Sequence, residues 1–149
     1  MKKYSYITPI GRIWIAEKEN KICALTISEI KDGKICETPL IKKTNTQLQE
    51  YFNKKRTTFD IPLITNGTEF QEKVWKTLIK IPYGKTISYK ELATQAGYPN
   101  AYRAVGNANN KNKILIIIPC HRVISSNGKL SGYAGGKNTK QFLLDLESK

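Results

Sequence analysis

Residues 88–106 read Ser88-Tyr89-Lys90-Glu91-Leu92-Ala93-Thr94-Gln95-Ala96-Gly97-Tyr98-Pro99-Asn100-Ala101-Tyr102-Arg103-Ala104-Val105-Gly106. Ser88 followed three places on by Glu91 is a capping box, in which two side chains satisfy backbone N–H groups reciprocally; it opens a short helix that Gly97 closes. Pro99-Asn100 begins a second helix, predicted to run through Ala101–Asn109. Two short helices joined by a tight glycine-containing turn form a helix-turn-helix pattern. Alone the pattern is weak, because any compact helical domain contains such pairs. Its flanks carry the decision.

Upstream, Thr68-Glu69-Phe70-Gln71 is another capping box, opening a helix with Phe70, Val74, Trp75 and Leu78 inward and stopped by Pro82-Tyr83-Gly84. Downstream, Ile114–Ile118 reads as a buried strand or extended segment, and Gly132–Gly136 as a glycine-rich loop. Asn138 is expected to cap a last helix with Phe142, Leu143 and Leu146 on its apolar face. The first half has another character. Tyr4–Thr8, Arg12–Ala16 and Ile22–Ser28 read as strands, the first two joined by Pro9-Ile10-Gly11. Asp32-Gly33 is a hairpin-type dipeptide before a short returning strand, Ile35–Glu37. Thr46–Lys55 is predicted helical, and Phe59–Leu63, interrupted by Pro62, an edge strand. The expected organisation is α+β: a small α/β domain over residues 1–64 and a mainly helical, winged-helix-like domain over residues 65–149.

The chain has 149 residues, with 25 basic against 12 acidic side chains and a formal net charge of +13. An excess of this size suits a polyanionic partner, usually nucleic acid; a lysine-rich solvated surface is the alternative. Placement favours the first. Between Glu91 and Asp145 there is no carboxylate, while Arg103, Lys111, Lys113, Arg122, Lys129, Lys137 and Lys140 all fall there. A merely solvated surface would intersperse both signs. No apolar run approaches the roughly 18 residues of a membrane span. Met1-Lys2-Lys3-Tyr4 does not open a secretory signal, so a reducing cytoplasm is expected for the three cysteines. One histidine and no CxxC leave no recognisable zinc site. No metal or cofactor is expected.

Ile118-Pro119-Cys120-His121-Arg122-Val123 carries the chemistry. A thiol becomes a strong nucleophile as its thiolate, which nearby cationic or proton-accepting groups favour. Here the only histidine adjoins a cysteine and an arginine follows. The plainer alternative is a buried cysteine ending an apolar strand, with His121 and Arg122 at the surface. Neighbours in an extended chain face opposite sides, so a direct Cys–His bond needs a turn or a bridging water. Cys23 and Cys36 have no histidine nearby and read as packing residues.

Pro119-Cys120-His121-Arg122, with the upstream helix-turn-helix and a glutamate downstream, resembles the O6-alkylguanine-DNA alkyltransferases, also called methylated-DNA–protein-cysteine methyltransferases. The resemblance runs through Gly67-Thr68-Glu69-Phe70-Gln71-Glu72-Lys73-Val74-Trp75, Ile81-Pro82-Tyr83-Gly84, Ser88-Tyr89, Arg103-Ala104-Val105-Gly106 and Gly132-Tyr133-Ala134-Gly135-Gly136. The first half matches loosely, mainly at Thr8-Pro9-Ile10-Gly11, and resembles the family's ribonuclease H-like N-terminal domain. The resemblance implies repair of double-stranded DNA by direct damage reversal. A guanine alkylated on O6 is flipped out of the duplex and its alkyl group passes irreversibly to Cys120, with O4 of thymine left open as a second target. Each molecule reacts once, as a monomer, without cofactor or membrane.

Residue by residue, the resemblance makes Cys120 the acceptor, His121 the group that takes the thiol proton through a water, and Glu147 the carboxylate that orients His121. Asn112 holds the active-site turn, and Tyr89 contacts the base edge. Tyr133, Ala134 and Gly135 form the substrate loop. Arg103 is the finger that fills the space left by the flipped base. Ala101, Ala104, Gly106 and Ala108 permit close approach to the minor groove, and Tyr102 and Arg122 join the DNA contacts. Tyr102 stands where relatives often carry a small residue, and Lys113 and Leu115 where they often carry prolines. A rival class is the non-catalytic alkyltransferase-like lesion-binding protein, which lacks the cysteine; Cys120 argues against it. A thiol hydrolase lacks an evident oxyanion site.

Overall fold

The computed structural model describes residues 1–127, 133 and 135–149. Ala134 of the expected substrate loop, and Gly132, lie outside the described residues. The chain divides into two compact units, Met1–Thr65 and Asn66–Lys149.

In the first unit β1 (Lys2–Thr8), β2 (Gly11–Lys18) and β3 (Lys21–Thr26) form an antiparallel meander. Glu19 and Asn20 turn between β2 and β3 with φ of 55° and 62°, the paired positive values of a two-residue hairpin turn that follows the strand twist. Strand β4 (Lys34–Ile35) lies parallel to β1, giving the order β3-β2-β1-β4. Asp32-Gly33 is therefore not a hairpin between neighbouring strands; the chain crosses to the far edge, and Lys34 N–H donates to Met1 O at 3.0 Å.

Helix α1 (Pro39–Phe52) begins well before the expected Thr46. Thr38 caps it, accepting from Ile41 N, and Pro39 occupies the first turn, where its missing donor costs nothing. The buried face consists of Ile41, Thr44, Gln47, Leu48, Tyr51 and Phe52. Two members of that face are polar, Thr44 Oγ1 donating to Leu40 O and Gln47 Oε1 accepting from Asp60 N. Phe59–Leu63 supplies only an isolated parallel bridge, Leu63 to Ile22.

In the second unit the capping boxes at Thr68 and Ser88 are both present. They open α2 (Glu69–Ile79) and α3 (Tyr89–Gln95). Helix α4 (Tyr102–Asn110) completes the helix-turn-helix, and Gly97 makes the turn at φ 92°, which an L side chain rarely adopts. Trp75 Nε1 donates to Ala108 O at 2.8 Å and ties α2 to α4. Ala108 thus faces the core and not a groove, in contrast to the sequence expectation. Strands β5 (Ile87–Ser88) and β6 (Val123–Ile124) pair in parallel.

Ile114–Ile118 is a turn and not a strand. Ile116 has φ 71°, and Ile118 N–H returns to Ile114 O at 3.2 Å. Helix α5 (Lys137–Ser148) has Gly136 at its N-cap, so Asn138 lies inside the first turn. Its buried positions are Lys140, Leu143 and Glu147, while Phe142 is exposed. Among the described residues, no helix is long and apolar enough to cross a membrane.

Candidate active site

Cys120, His121 and Arg122 form a single 3₁₀ turn between Pro119 and β6. All three are buried, His121 completely. The turn replaces the extended geometry that would have separated neighbouring side chains.

Asn112 builds the floor beneath Cys120. Its Nδ2 donates both hydrogens, to Ile118 O at 2.8 Å and to Cys120 Sγ at 3.2 Å, and its Oδ1 accepts from Ile114 N at 2.9 Å. One side chain closes the tight Ile114–Ile118 turn and reaches the thiol. Asn109, from the last turn of α4, adds a weak contact from Nδ2 to Cys120 O at 3.5 Å. Asn112→Ala leaves Ile118 O and Ile114 N without these partners in a buried place. The expected loss is about 2–4 kcal/mol of stability, read by denaturant unfolding, with slower alkylation of the thiol.

On the other side of the turn, Glu147 from α5 receives His121 and Arg122, and its Oε1 also accepts from Gly84 N at 3.3 Å. His121 Nε2 lies 2.7 Å from Oε2. Arg122 engages both oxygens, Nε to Oε1 at 2.7 Å and Nη2 to Oε2 at 3.0 Å, and gives Nη1 to Ile81 O at 2.7 Å. A fork of this kind needs two acceptor oxygens, so the hydrogen between Glu147 and His121 belongs to the imidazole. Nε2 then carries the proton and Nδ1 presents a lone pair. Nδ1 is buried without a hydrogen-bond partner among the described residues. Burial pulls the His121 pKa below its ordinary value against the opposing pull of Glu147, so the resting ring is neutral. This is a base with its acceptor nitrogen available.

Burial pushes the Cys120 thiol up to about 11, opposed by the Asn112 hydrogen bond and the Lys140 charge. The resting nucleophile is a thiol, and its proton must leave during reaction.

Two expectations change here. Arg122 is not a DNA contact: its guanidinium is buried in the Glu147 pair, and the alternative that puts His121 and Arg122 at the surface fails for the same reason. Gly135 has a local cause. A Cβ there would stand 2.6 Å from the Tyr133 ring, so only glycine lets the chain lie against that buried aromatic. Tyr133 is itself 9% exposed, with its hydroxyl unpartnered among the described residues.

The remaining expected residues lie around α3 and α4. Tyr89 opens α3, and Gly106 packs beside it, its added Cβ 3.5 Å from the Tyr89 ring. Tyr102, Arg103 and Ala104 are exposed on α4, with Ala101 and Gly106 half-buried. Tyr102 is not tucked away: it is 41% exposed, and Lys90 Nζ lies 5.7 Å from its ring centroid. The sequence assigned no role to Lys140, which is fully buried with Nζ donating to Val123 O at 2.6 Å. Its signal was position: Lys140, Leu143 and Glu147 are spaced three and four apart, on one helix face. Among the described residues no cluster of His, Cys, Asp and Glu could hold a metal ion.

Comparison with known proteins gives the same two-part division. Residues 1–65 match the ribonuclease-like domain of 6-O-methylguanine DNA methyltransferase, and residues 69–149 match its DNA binding domain. A methylated-DNA–protein-cysteine methyltransferase of Methanosarcina barkeri is 49% identical over 94% of this chain and 92% of its own. The constitutive enzyme of that name from Bacillus subtilis is 45% identical over 94% and 91%. The crystal structure of Mycobacterium tuberculosis OGT in complex with DNA superposes with a TM-score of 0.93 at 43% identity, covering 99% of this chain and 93% of that one. A buried Cys-His-Arg turn, its asparagine floor and its distant glutamate therefore occur in a chain that matches one family from end to end: this chain belongs to the 6-O-methylguanine DNA methyltransferases.

Proposed function

We propose that this protein repairs DNA by direct reversal, moving a methyl or other alkyl group from O6 of guanine to Cys120 Sγ. The carrying observation is the bonded series Asn112, Cys120, His121, Glu147 and Arg122, which places a nucleophile and a neutral base on one buried turn. His121 Nδ1 takes the thiol proton, through a water, and the imidazolium that forms is charge-stabilised by Glu147. The thiolate attacks the alkyl carbon. The S–C bond forms as the C–O6 bond breaks, the electron pair stays with guanine, and the guanine anion takes up one proton from water while the His121 imidazolium returns the thiol's proton to water. Nothing among the described side chains supplies a group to cleave the thioether, so each molecule reacts once and is an enzyme in the single-turnover sense.

Cys120 is 1% exposed, so only a base extruded from the duplex reaches it. The exposed face of α4 serves the extrusion. Arg103 is the finger, and Tyr102 with Lys90 adds an aromatic face and a cation beside it. The expected place of this work is the cytoplasm, and no described helix is long and apolar enough to cross a membrane.

Incubation with duplex DNA containing O6-methylguanine, followed by intact-protein and peptide mass spectrometry, is expected to show one methyl group on Cys120. Tight binding of that DNA without methyl gain would instead support the lesion-binding class. Arg103→Ala is expected to slow repair of duplex DNA far more than reaction with free O6-benzylguanine, because only the duplex needs a base flipped. Equal losses on both substrates would remove Arg103 from the finger role.

A further inference from the structure

Lys140 is the one fully buried ammonium-bearing side chain among the described residues, and the chemistry above makes no use of it. Burying such a group is expensive unless its surroundings compensate the charge. Its surroundings are more informative than its hydrogen bond. The Val123 carbonyl that it holds at 2.6 Å immediately follows the Cys120–Arg122 turn. Its Nζ also stands 6.0 Å from the centroid of the Tyr89 ring. Lys140 therefore sits between the nucleophile's turn and the residue assigned to the base edge.

We propose that Lys140 is an electrostatic positioning residue for alkyl transfer, its ammonium stabilising negative charge first on Cys120 Sγ and then on the departing guanine beside Tyr89. This rests on the alkyl-transfer reading. During the reaction a negative charge is created at sulfur by proton loss to His121. It then moves to O6 as the S–C bond forms and the C–O6 bond breaks, and it disappears when the base is reprotonated. A preorganised cation beside both ends of that path lowers the cost of the charge throughout and need not reorganise. The electrostatics agree in both directions. The Lys140 charge opposes the upward push of burial on the Cys120 thiol, and a Cys120 thiolate opposes the downward push of burial on the Lys140 ammonium. The other titratable groups around the turn are His121 and Arg122 on the turn itself, Glu147 from α5 and Tyr133 from the segment before α5. His121 and Tyr133 are neutral at rest, and the opposite charges of Arg122 and Glu147 offset each other, so Lys140 is the cation whose charge favours the thiolate.

Two substitutions separate the charge from the clamp. Lys140→Gln keeps an amide donor for Val123 O and removes the charge; Lys140→Arg keeps the charge. Cys120 reactivity is followed with iodoacetamide from neutral to alkaline pH, with peptide mapping to separate it from Cys23 and Cys36. Transfer is followed in single turnover with O6-methylguanine duplex. Lys140→Gln is expected to move the Cys120 profile about one pH unit upward and slow transfer about tenfold, since one unit is tenfold in thiolate at a given pH. Lys140→Arg is expected to restore most of both at similar melting temperature. An unshifted Cys120 profile in Lys140→Gln, or equal losses in Gln and Arg variants that track melting temperature, overturns the proposal in favour of a structural clamp. If the Gln variant does not fold, Lys140→Met, which keeps the volume without a buried amide, carries the same expectation. The iodoacetamide arm needs no DNA. A wild type that takes no methyl group while Lys140→Gln shifts the profile fails the repair reading alone. A wild type that takes the methyl group beside an unshifted variant fails this inference alone.

Discussion

Cys120→Ser is expected to end alkyl transfer completely while leaving affinity for duplex DNA unchanged. The substitution keeps the shape of the turn, and the Asn112 amide can donate to an oxygen as it does to sulfur. The chemistry is lost for a reason of magnitude. Burial already pushes the thiol up to about 11, and an alcohol starts many units higher, so His121 cannot take its proton at any useful rate. Intact mass after incubation with O6-methylguanine duplex checks the result. A methyl group still gained by the Ser variant, at Cys23 or Cys36, would move the acceptor elsewhere. The same pair of proteins gives a stability test. An unfolded thiol ionises near about 8.5, below its folded value, so the fold favours the protonated form. That contribution is fully present below pH of about 8.5 and is lost as pH rises toward about 11. Wild type is therefore expected to lose stability over that window relative to Cys120→Ser, which has no such group.

The parts of the molecule legible in the sequence are those whose causes are local. Ser88 and Glu91, or Thr68 and Gln71, need only three residues of spacing to define a helix start, and both boxes form. The parts misread have causes elsewhere in the chain. Ile114–Ile118 has the composition of a buried strand, yet Asn112 folds it into a turn by bonding both ends with one side chain, an outcome composition does not encode. The first half of α1 buries one apolar residue, Ile41, beside the polar Thr44, so its inward face carries little hydropathy signal. Arg122 looked like a free cation because its partner, Glu147, lies 25 residues away. Lys140 was missed because a lysine in a basic stretch reads as solvated unless the fold shows it buried. The identity of Cys120 and His121 as a reactive pair came from motif order, and the turn that makes them usable came only from the structure.

Glu147→Ala is expected to be the most destabilising single change in the site. It leaves the buried Arg122 guanidinium with the Ile81 carbonyl and the Tyr83 ring but no carboxylate, and takes the Glu147 acceptor from His121 Nε2 and Gly84 N. Removing one member of a buried ion pair costs about 3–5 kcal/mol. For a domain of this size that is a fall in melting temperature of about 15 °C or more. Stability and chemistry can be separated at this position. Glu147→Met together with Arg122→Met replaces the whole pair with apolar volume, so stability is expected to return toward wild type. Transfer is not expected to return, because nothing then fixes the tautomer of His121 or stabilises its imidazolium. Glu147→Gln provides the finer test. Its amide oxygen serves one donor, but its NH2 faces another, and the charge is gone. Transfer is expected to fall about a hundredfold or more, in the range of a lost acid–base contribution. Transfer at the wild-type rate in a folded Glu147→Gln variant would mean that His121 works without its carboxylate, and that the role of Glu147 is structural, toward Arg122 and Gly84.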